Sequence, residues 1–270
     1  MEWLKKEEWK HAAFSAGMAT EGMHPRFGKA AGGRIWIRIH NGLVTGALYI
    51  SRYGVVLPAF DENKGNREDS RFLEKIHPFR KSSLFSIVGM ESRVQFIEQH
   101  IRKPSSESIG YRMYIGGTPD FSDYELPPGL SIHRAETTDA DKLWKLEKAY
   151  QIEEVLRKGH TPDETTGRLH FQHTLKSQLV YYALLDGRPV AKAGTNARGY
   201  SYDQIGGVFV IPELRGYGFG RAVMNQLLSA ISESGRHSCL FVKETNFPAL
   251  ELYRKLGFID MDAFRISYWR

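Results

Sequence analysis

The sequence predicts an α+β protein in two units, and three observations carry that prediction. Asn41-Gly42 and Asp186-Gly187 each sit between runs rich in β-branched and aromatic residues, the mark of tight hairpins and so of antiparallel strands. Other segments place apolar residues at helical spacing, such as Val223, Met224, Leu227, Leu228 and Ile231. The stretch "GGTPDFSDYELPPG", Gly116 to Gly129, has no hydrophobic period and contains Pro119, Pro127 and Pro128. We therefore expect an N-terminal α+β domain at 1–115, a linker at 116–129 and a second domain at 130–270.

The elements of the first unit follow in order. "RIWIRI" and "LVTGALYIS" form the first hairpin, and "GVVLPAF" is a third strand. "DENKGNREDS", Asp61 to Ser70, reads as a polar surface loop. "SLFSIVG" leads into the helix-like "MESRVQFIEQHI" and then the strand "YRMYIG".

In the second unit "LSIHRA" is a short strand, and "TTDADKLWKLEKAYQIEEVL" a helix with Thr138 or Asp139 as N-cap. A further helix covers the region around Asp163 to Lys176. "LVYYALLDGRPVAKAGTNA" is the second hairpin, and "YDQIGGVFVI" a strand that ends in a glycine-rich loop and an amphipathic helix. "CLFVK" is a strand. "NFPALELYRKLGF" is a helix begun by Asn246, with Pro248 in its first turn and Gly257 at its end. "FRISYWR" is a final strand. The two halves share the order hairpin, strand, helix, strand, but the first lacks the glycine loop.

Composition narrows the partners. The chain has 270 residues, a formal charge of +6 and a pI near 9.2, which favours anionic ligands such as nucleic acid, a phosphorylated cofactor or an acidic surface. Residues 1–129 carry 18 Lys and Arg against 15 Asp and Glu, and residues 130–270 carry 19 against 16, so no basic block exists and nucleic acid is disfavoured. No apolar run reaches membrane-spanning length, and the first residues are too charged for a signal peptide. Cys239 is the only cysteine, which excludes an internal disulfide and agrees with a cytoplasmic protein.

The most informative stretch is "VFVIPELRGYGFGRAVMNQLL", Val208 to Leu228. Glycines at 216, 218 and 220 allow backbone torsions closed to other residues, so successive amides can turn into one concavity. The concavity opens on a helix N-terminus, where unpaired amides and the helix dipole favour an anion. A phosphate or pyrophosphate suits such a cradle, and Arg215 and Arg221 flank it. The spacing is wrong for a P-loop, which needs G-x-x-x-x-G-K-[ST], and for a dinucleotide loop, which needs G-x-G-x-x-G.

Arg215-Gly216-Tyr217-Gly218-Phe219-Gly220 resembles the R-x-x-G-x-G/A motif of the GCN5-related N-acetyltransferases (GNAT), and "NFPALELYRKLGF" is similar to that family's N-x-x-A-x-x-x-Y-x-x-x-G-F. The resemblance runs from Leu130 to the C-terminus. It implies a mixed, mostly antiparallel sheet with helices on both faces, preceded here by a second α+β domain read as a degenerate copy of the same fold. It also implies acetyl-CoA as cofactor, a primary amine as acceptor, and direct attack in a ternary complex. "AYQIEEVL" and "QIGGVFVIPELRGYGFG" further resemble a two-domain subgroup whose N-terminal domain has no assigned role.

Carried over residue by residue, the resemblance assigns Val208, Phe209 and Val210 to the pantetheine arm and Arg215, Gly216, Tyr217, Gly218, Phe219, Gly220 and Arg221 to the pyrophosphate. Asn246 and Ala249 would lie near the cofactor, although Asn246 reads equally as a helix cap. Tyr253 would protonate the departing thiolate, with core packing as its alternative. For the base that frees the amine, Glu154 is chosen over its neighbour Glu153, against the plainer reading of both as a solvated helix face. His170 and His173 lack a third ligand, so no metal is expected. A protein that holds acetyl-CoA without transferring it is the rival reading. The acceptor and the oligomeric state are not legible in the sequence.

Overall fold

A computed structural model describes residues 2–20, 33–60, 67–76, 84–121, 128–156 and 160–269. Two short helices, α1 (Glu2–Lys6) and α2 (Ala12–Thr20), precede the first hairpin of β1 (Arg34–His40) and β2 (Leu43–Ile50). Then come β3 (Val55–Phe60), α3 (Arg67–Glu74), β4 (Ser86–Met90), α4 (Glu91–Glu98) and β5 (Glu107–Gly116). The second half holds β6 (Leu130–Arg134), α5 (Ala140–Tyr150), α6 (Glu164–Ser177), β7 (Val180–Leu185), β8 (Arg188–Arg198), β9 (Tyr202–Val210), α7 (Phe219–Glu233), β10 (His237–Lys243), α8 (Phe247–Lys255) and β11 (Phe258–Tyr268).

Both hairpins turn where the sequence places them. Asn41 and Gly42 have φ of 48° and 75°, and Asp186 and Gly187 have 51° and 78°, the paired positive φ of a type I′ turn. Asp163 caps α6 by accepting from the Thr166 amide at 2.8 Å, and Asn246 caps α8 by accepting from Ala249 at 3.3 Å. The helix expected to run on to Leu156 ends at Tyr150 and continues as one π-helical turn, Gln151–Val155. The polar loop expected at Asp61 to Ser70 is only partly a loop. Residues 61–66 lie outside the described residues, and Arg67 opens α3, whose Asp69 is buried in ion pairs with Arg38 and Arg93.

All eleven strands join one sheet in the order β1-β2-β3-β4-β11-β5-β10-β9-β8-β7-β6. Its centre is an exchange. The C-terminal strand β11 lies between β4 and β5, and β5 lies between β11 and β10, all antiparallel. On either side a parallel pair follows, β3 with β4 and β9 with β10. The second half thus repeats the first about this central pair, and the sheet of each half includes a strand from the other. The stretch 116–129 marks a break in the sequence that the sheet does not share. Residues 122–127 lie outside the described residues, whereas the Asp120 amide and carbonyl bond Asn225 of α7 at 3.1 and 2.5 Å.

On one face α7 presents the expected stripe, Val223, Met224, Leu227, Leu228 and Ile231, to Ala191, Ile205 and Leu240 of the sheet. On the other, the N-terminal segment crosses both halves, with Trp9 and Ala12 against Met90, Met113, Cys239 and Phe264. The sequence reading assigned no element there, because α1 is only five residues long and α2, AAFSAGMAT, is built of small residues with no apolar stripe at helical spacing. Glu8 anchors this segment: fully buried, its carboxylate accepts from the amides of Tyr200, Ser201 and Tyr202 at 2.6, 2.7 and 3.1 Å. Arg236 takes the carbonyls of Gly199, Tyr200 and Tyr202 in the same turn. Replacing Glu8 by Ala strands three buried donors and should destabilise the protein by roughly 3 kcal/mol or more, read as a lower denaturation midpoint with the slope unchanged.

Candidate active site

The site begins with one extra residue in β9. Lys192 of β8 pairs with Phe209 and Gly194 with Gly206, so Gly207 and Val208 together oppose Ala193. Gly207 adopts φ 64°, as such a bulge requires. Beyond it β9 leaves its parallel neighbour: pairing with β10 stops at Leu240↔Ile205, although the strands run on to Lys243 and Val210. A wedge opens between them. Ile211 donates to Val190 across β8 at 3.0 Å, so strand alternation turns the Val210 amide and carbonyl towards the wedge.

The glycine loop lies where β9 ends. Gly216 and Gly218 have φ of 86° and 84°, and Gly218 precedes the first helical residue of α7. The first turn of α7 has no acidic residue, so its amides and dipole face the loop unopposed. Gly220 differs from the other two: it is helical, and an added Cβ would meet only Leu252 and Val210 at 3.5 Å. Tyr217 points to solvent, while the Phe219 side chain is buried in the core, leaving its backbone at the loop.

The flanking arginines are not bare charges. Arg215 holds both oxygens of Glu153 at 2.7 and 2.8 Å through Nη2, and its Nε donates to the Val210 carbonyl at 3.1 Å. Arg221 pairs with Asp120. Glu153, read from sequence as a solvated face, therefore ties the π-turn to the loop.

Glu154, one residue on, reaches the other wall of the wedge. It accepts from Lys243 Nζ at 3.0 Å, and Asn246 Nδ2 lies 3.4 Å from its second oxygen. Ala249 spends its amide on the Asn246 cap. Tyr253 is buried with its ring edge-on to Phe258, centroids 5.6 Å apart. Burial, then Tyr150 and Glu154, push its hydroxyl well above the ordinary phenol range. The fold thus gathers Glu154 and Asn246 at the end of β10, on one wall of the wedge, and the loop residues at the end of β9, on the other.

Sequence reasoning missed the support behind the bulge. Lys192, buried, pairs with Glu147 at 2.9 Å, donates to the Gly207 carbonyl at 2.9 Å, and sits 4.0 Å from the ring centre of Tyr150. Burial pushes the Tyr150 hydroxyl up to about 12, with Glu147 and Glu154 adding to it. One signal was available: Lys192 is a lone charge inside an apolar strand. Tyr111 also adjoins the site, opposite Lys243 on the exchanged strand β5, and no sequence pattern points to it. Cys239 is fully buried, and burial pushes its thiol up, away from nucleophilic use. His170 and His173 are exposed on α6, and among the described residues no group of three or more His, Cys, Asp or Glu could hold a metal.

Residues 142–258, which contain the bulge, the wedge and the loop, match the Acetyltransferase (GNAT) family. The second half carries a GNAT acetyltransferase domain. An 82-residue stretch is 32% identical to the mycothiol acetyltransferase of Acidothermus cellulolyticus; it covers 29% of this chain and only 25% of that protein. Solved structures resemble the whole chain. A GNAT-family acetyltransferase from Colwellia psychrerythraea superposes with a TM-score of 0.58 at 13% identity, over 100% of this chain and 97% of the other. A tandem GNAT protein from the clavulanic acid biosynthesis pathway gives 0.59 at 14% identity, over 98% and 95%. At these identities the likeness concerns the fold, and it extends the GNAT architecture to both halves of the sheet.

Within the GNAT domain Gly216 and Gly220 should respond unequally to substitution. Gly216→Ala forces an alanine to positive φ and should cost roughly 1 kcal/mol, whereas Gly220→Ala fits a helical position and should be neutral or slightly stabilising. Thermal melts of the two variants check the difference.

Proposed function

We propose that the protein transfers the acetyl group of acetyl-CoA to a primary amine, by direct attack within a ternary complex. The observation that carries this reading is the wedge: two parallel strands parted by a glycine bulge, ending at a helix N-terminus with positive-φ glycines and no acidic residue in its first turn.

The residues present fit a diphosphate-bearing thioester. Amides of Gly216 to Arg221 would hold the diphosphate, and the Val210 amide, turned to the open edge of β9, would hold an amide of the arm. When bound, acetyl-CoA supplies an activated acyl group with a thiolate leaving group. Asp120 and Glu153 already engage Arg221 and Arg215, so the arginines bring charge that a diphosphate shares with these acids.

Tyr253 is the proton donor of this reading. Its hydroxyl makes no hydrogen bond among the described residues, and its raised pKa keeps the proton in place throughout the neutral range. Glu154 is the proposed proton acceptor, directly or through water, held in place by Lys243 and Asn246. Lys192 and Glu147 set the bulge and act as positioning residues. Cys239 is too deeply buried to form an acyl-enzyme, which supports direct attack. No described helix is long and apolar enough to cross a membrane, and the single buried cysteine suits a cytoplasmic setting.

Calorimetry with coenzyme A and a thiol-release assay over a panel of amines test the proposal together. Wild-type protein should bind coenzyme A and release thiol with at least one amine, and Tyr253→Phe should lower kcat about tenfold to a hundredfold with little change in KM for acetyl-CoA. Binding without release on any amine would favour a regulatory acetyl-CoA-binding protein instead. No binding at all would end both readings.

A further inference from the structure

A cavity of about 210 Å³ lies beneath the N-terminal segment, lined by residues from Trp9 to Phe14. Its origin is the internal repeat. Strands β3 and β4 pair in parallel only at Val55↔Ser86 and Val56↔Ile87 and then part, as β9 and β10 do. The cavity opens there, between Leu57 and Pro58 on one strand and Val88 and Gly89 on the other. Trp9 and Phe14 cover it, and its floor runs across the exchanged strands through Met113, Phe241 and Phe264.

The chemistry of this space differs from that of the wedge. The helix that follows β3 carries Glu68 and Asp69 in its first turn, so its N-terminus repels an anion and a diphosphate is not drawn to this half. The lining is apolar and aromatic, and its charges are quenched: Lys10 turns its ammonium to Glu7 at 3.0 Å, and burial holds the His11 imidazole below its ordinary range. One polar group stands out. Gln204, only 4% exposed, lines the cavity with an amide that makes no hydrogen bond among the described residues. Asn196, beside it on β8 and itself exposed, lines the cavity with a second amide. Both residues line the cavity, so a group seated there can offer their amides a donor and an acceptor. The space is ample, since an apolar cavity of about 150 Å³ accommodates benzene.

We propose that this cavity is a ligand pocket for a compact uncharged group, aromatic or branched aliphatic, bearing an amide or carbonyl function that pairs with the side chain of Gln204. The group is either the apolar end of the acetyl acceptor or a separate small molecule. Gln204 and Phe241 lie on β9 and β10, the strands that form the wedge, so an occupant is placed to communicate with it.

The probe is 4-fluorobenzamide, followed by fluorine NMR line broadening on the full chain. Broadening is expected with wild type and should weaken at least tenfold in Ala13→Trp, which fills the space, and in Gln204→Met, which keeps the volume but removes the amide; circular dichroism melts confirm that each variant folds. No broadening with wild type, or equal broadening in the folded variants, overturns the proposal. In the thiol-release assay, inhibition competitive with the amine assigns the pocket to the acceptor, and inhibition without competition assigns it to a separate ligand; either result supports the pocket. The proposal stands apart from the acetyl-transfer reading. Absence of fluorine broadening with intact coenzyme A binding sinks only the pocket, and the reverse sinks only acetyl transfer.

Discussion

A single inserted residue governs the site. At Gly207 the backbone takes a left-handed conformation, β9 bends, and the parallel ladder with β10 cannot continue past Ile205. Such a bulge leaves main-chain groups without partners, and an unpaired polar backbone is tolerated only where something compensates it. Lys192 compensates one side by donating to the Gly207 carbonyl, and Glu147 neutralises the lysine. On the other side, the edge at Val210, Arg215 takes the carbonyl, and the amide is the one proposed to hold the cofactor arm. A buried ion pair is an expensive way to brace a strand, which is why its presence here points to geometry that ordinary packing would not hold.

The π-turn Gln151–Val155 joins the two walls of this wedge. Consecutive glutamates diverge from it, Glu153 to the loop arginine and Glu154 to the lysine that ends β10. An uninterrupted α-helix would place neighbouring residues about 100° apart around its axis and would carry the chain onward, whereas one wide turn lets it leave at the site. The connection between the halves is also recruited: Asp120 holds Arg221 at the foot of α7.

Strand exchange makes the two halves interdependent. With β5 inserted beside β10, Tyr111 of the first half sits opposite Lys243 of the second and packs edge-on to Phe241, ring centres 5.2 Å apart. The N-terminal segment reinforces the join through Glu8, between α1 and α2, whose three bonds are to backbone of the β8–β9 turn. The first half therefore contributes walls and bracing to the second, while its own parting of strands, without a glycine loop and with acids at the following helix, takes on a different chemical character.

By itself the sequence determined whatever rests on local chemistry. Asn-Gly and Asp-Gly turns, the Asn246 cap, the apolar stripe of α7 and the alternating glycines are each decided by a few adjacent side chains, so they could be read, and with them the GNAT motifs. Long-range pairing was not legible in this way. That Glu153 serves Arg215, that Lys192 braces Gly207, that Asp69 is buried and that β5 and β11 change places are decided by which surfaces meet once the chain is compact. Many partners of equal hydrophobicity or charge would satisfy the same pattern along the chain, and only the folded sheet selects among them.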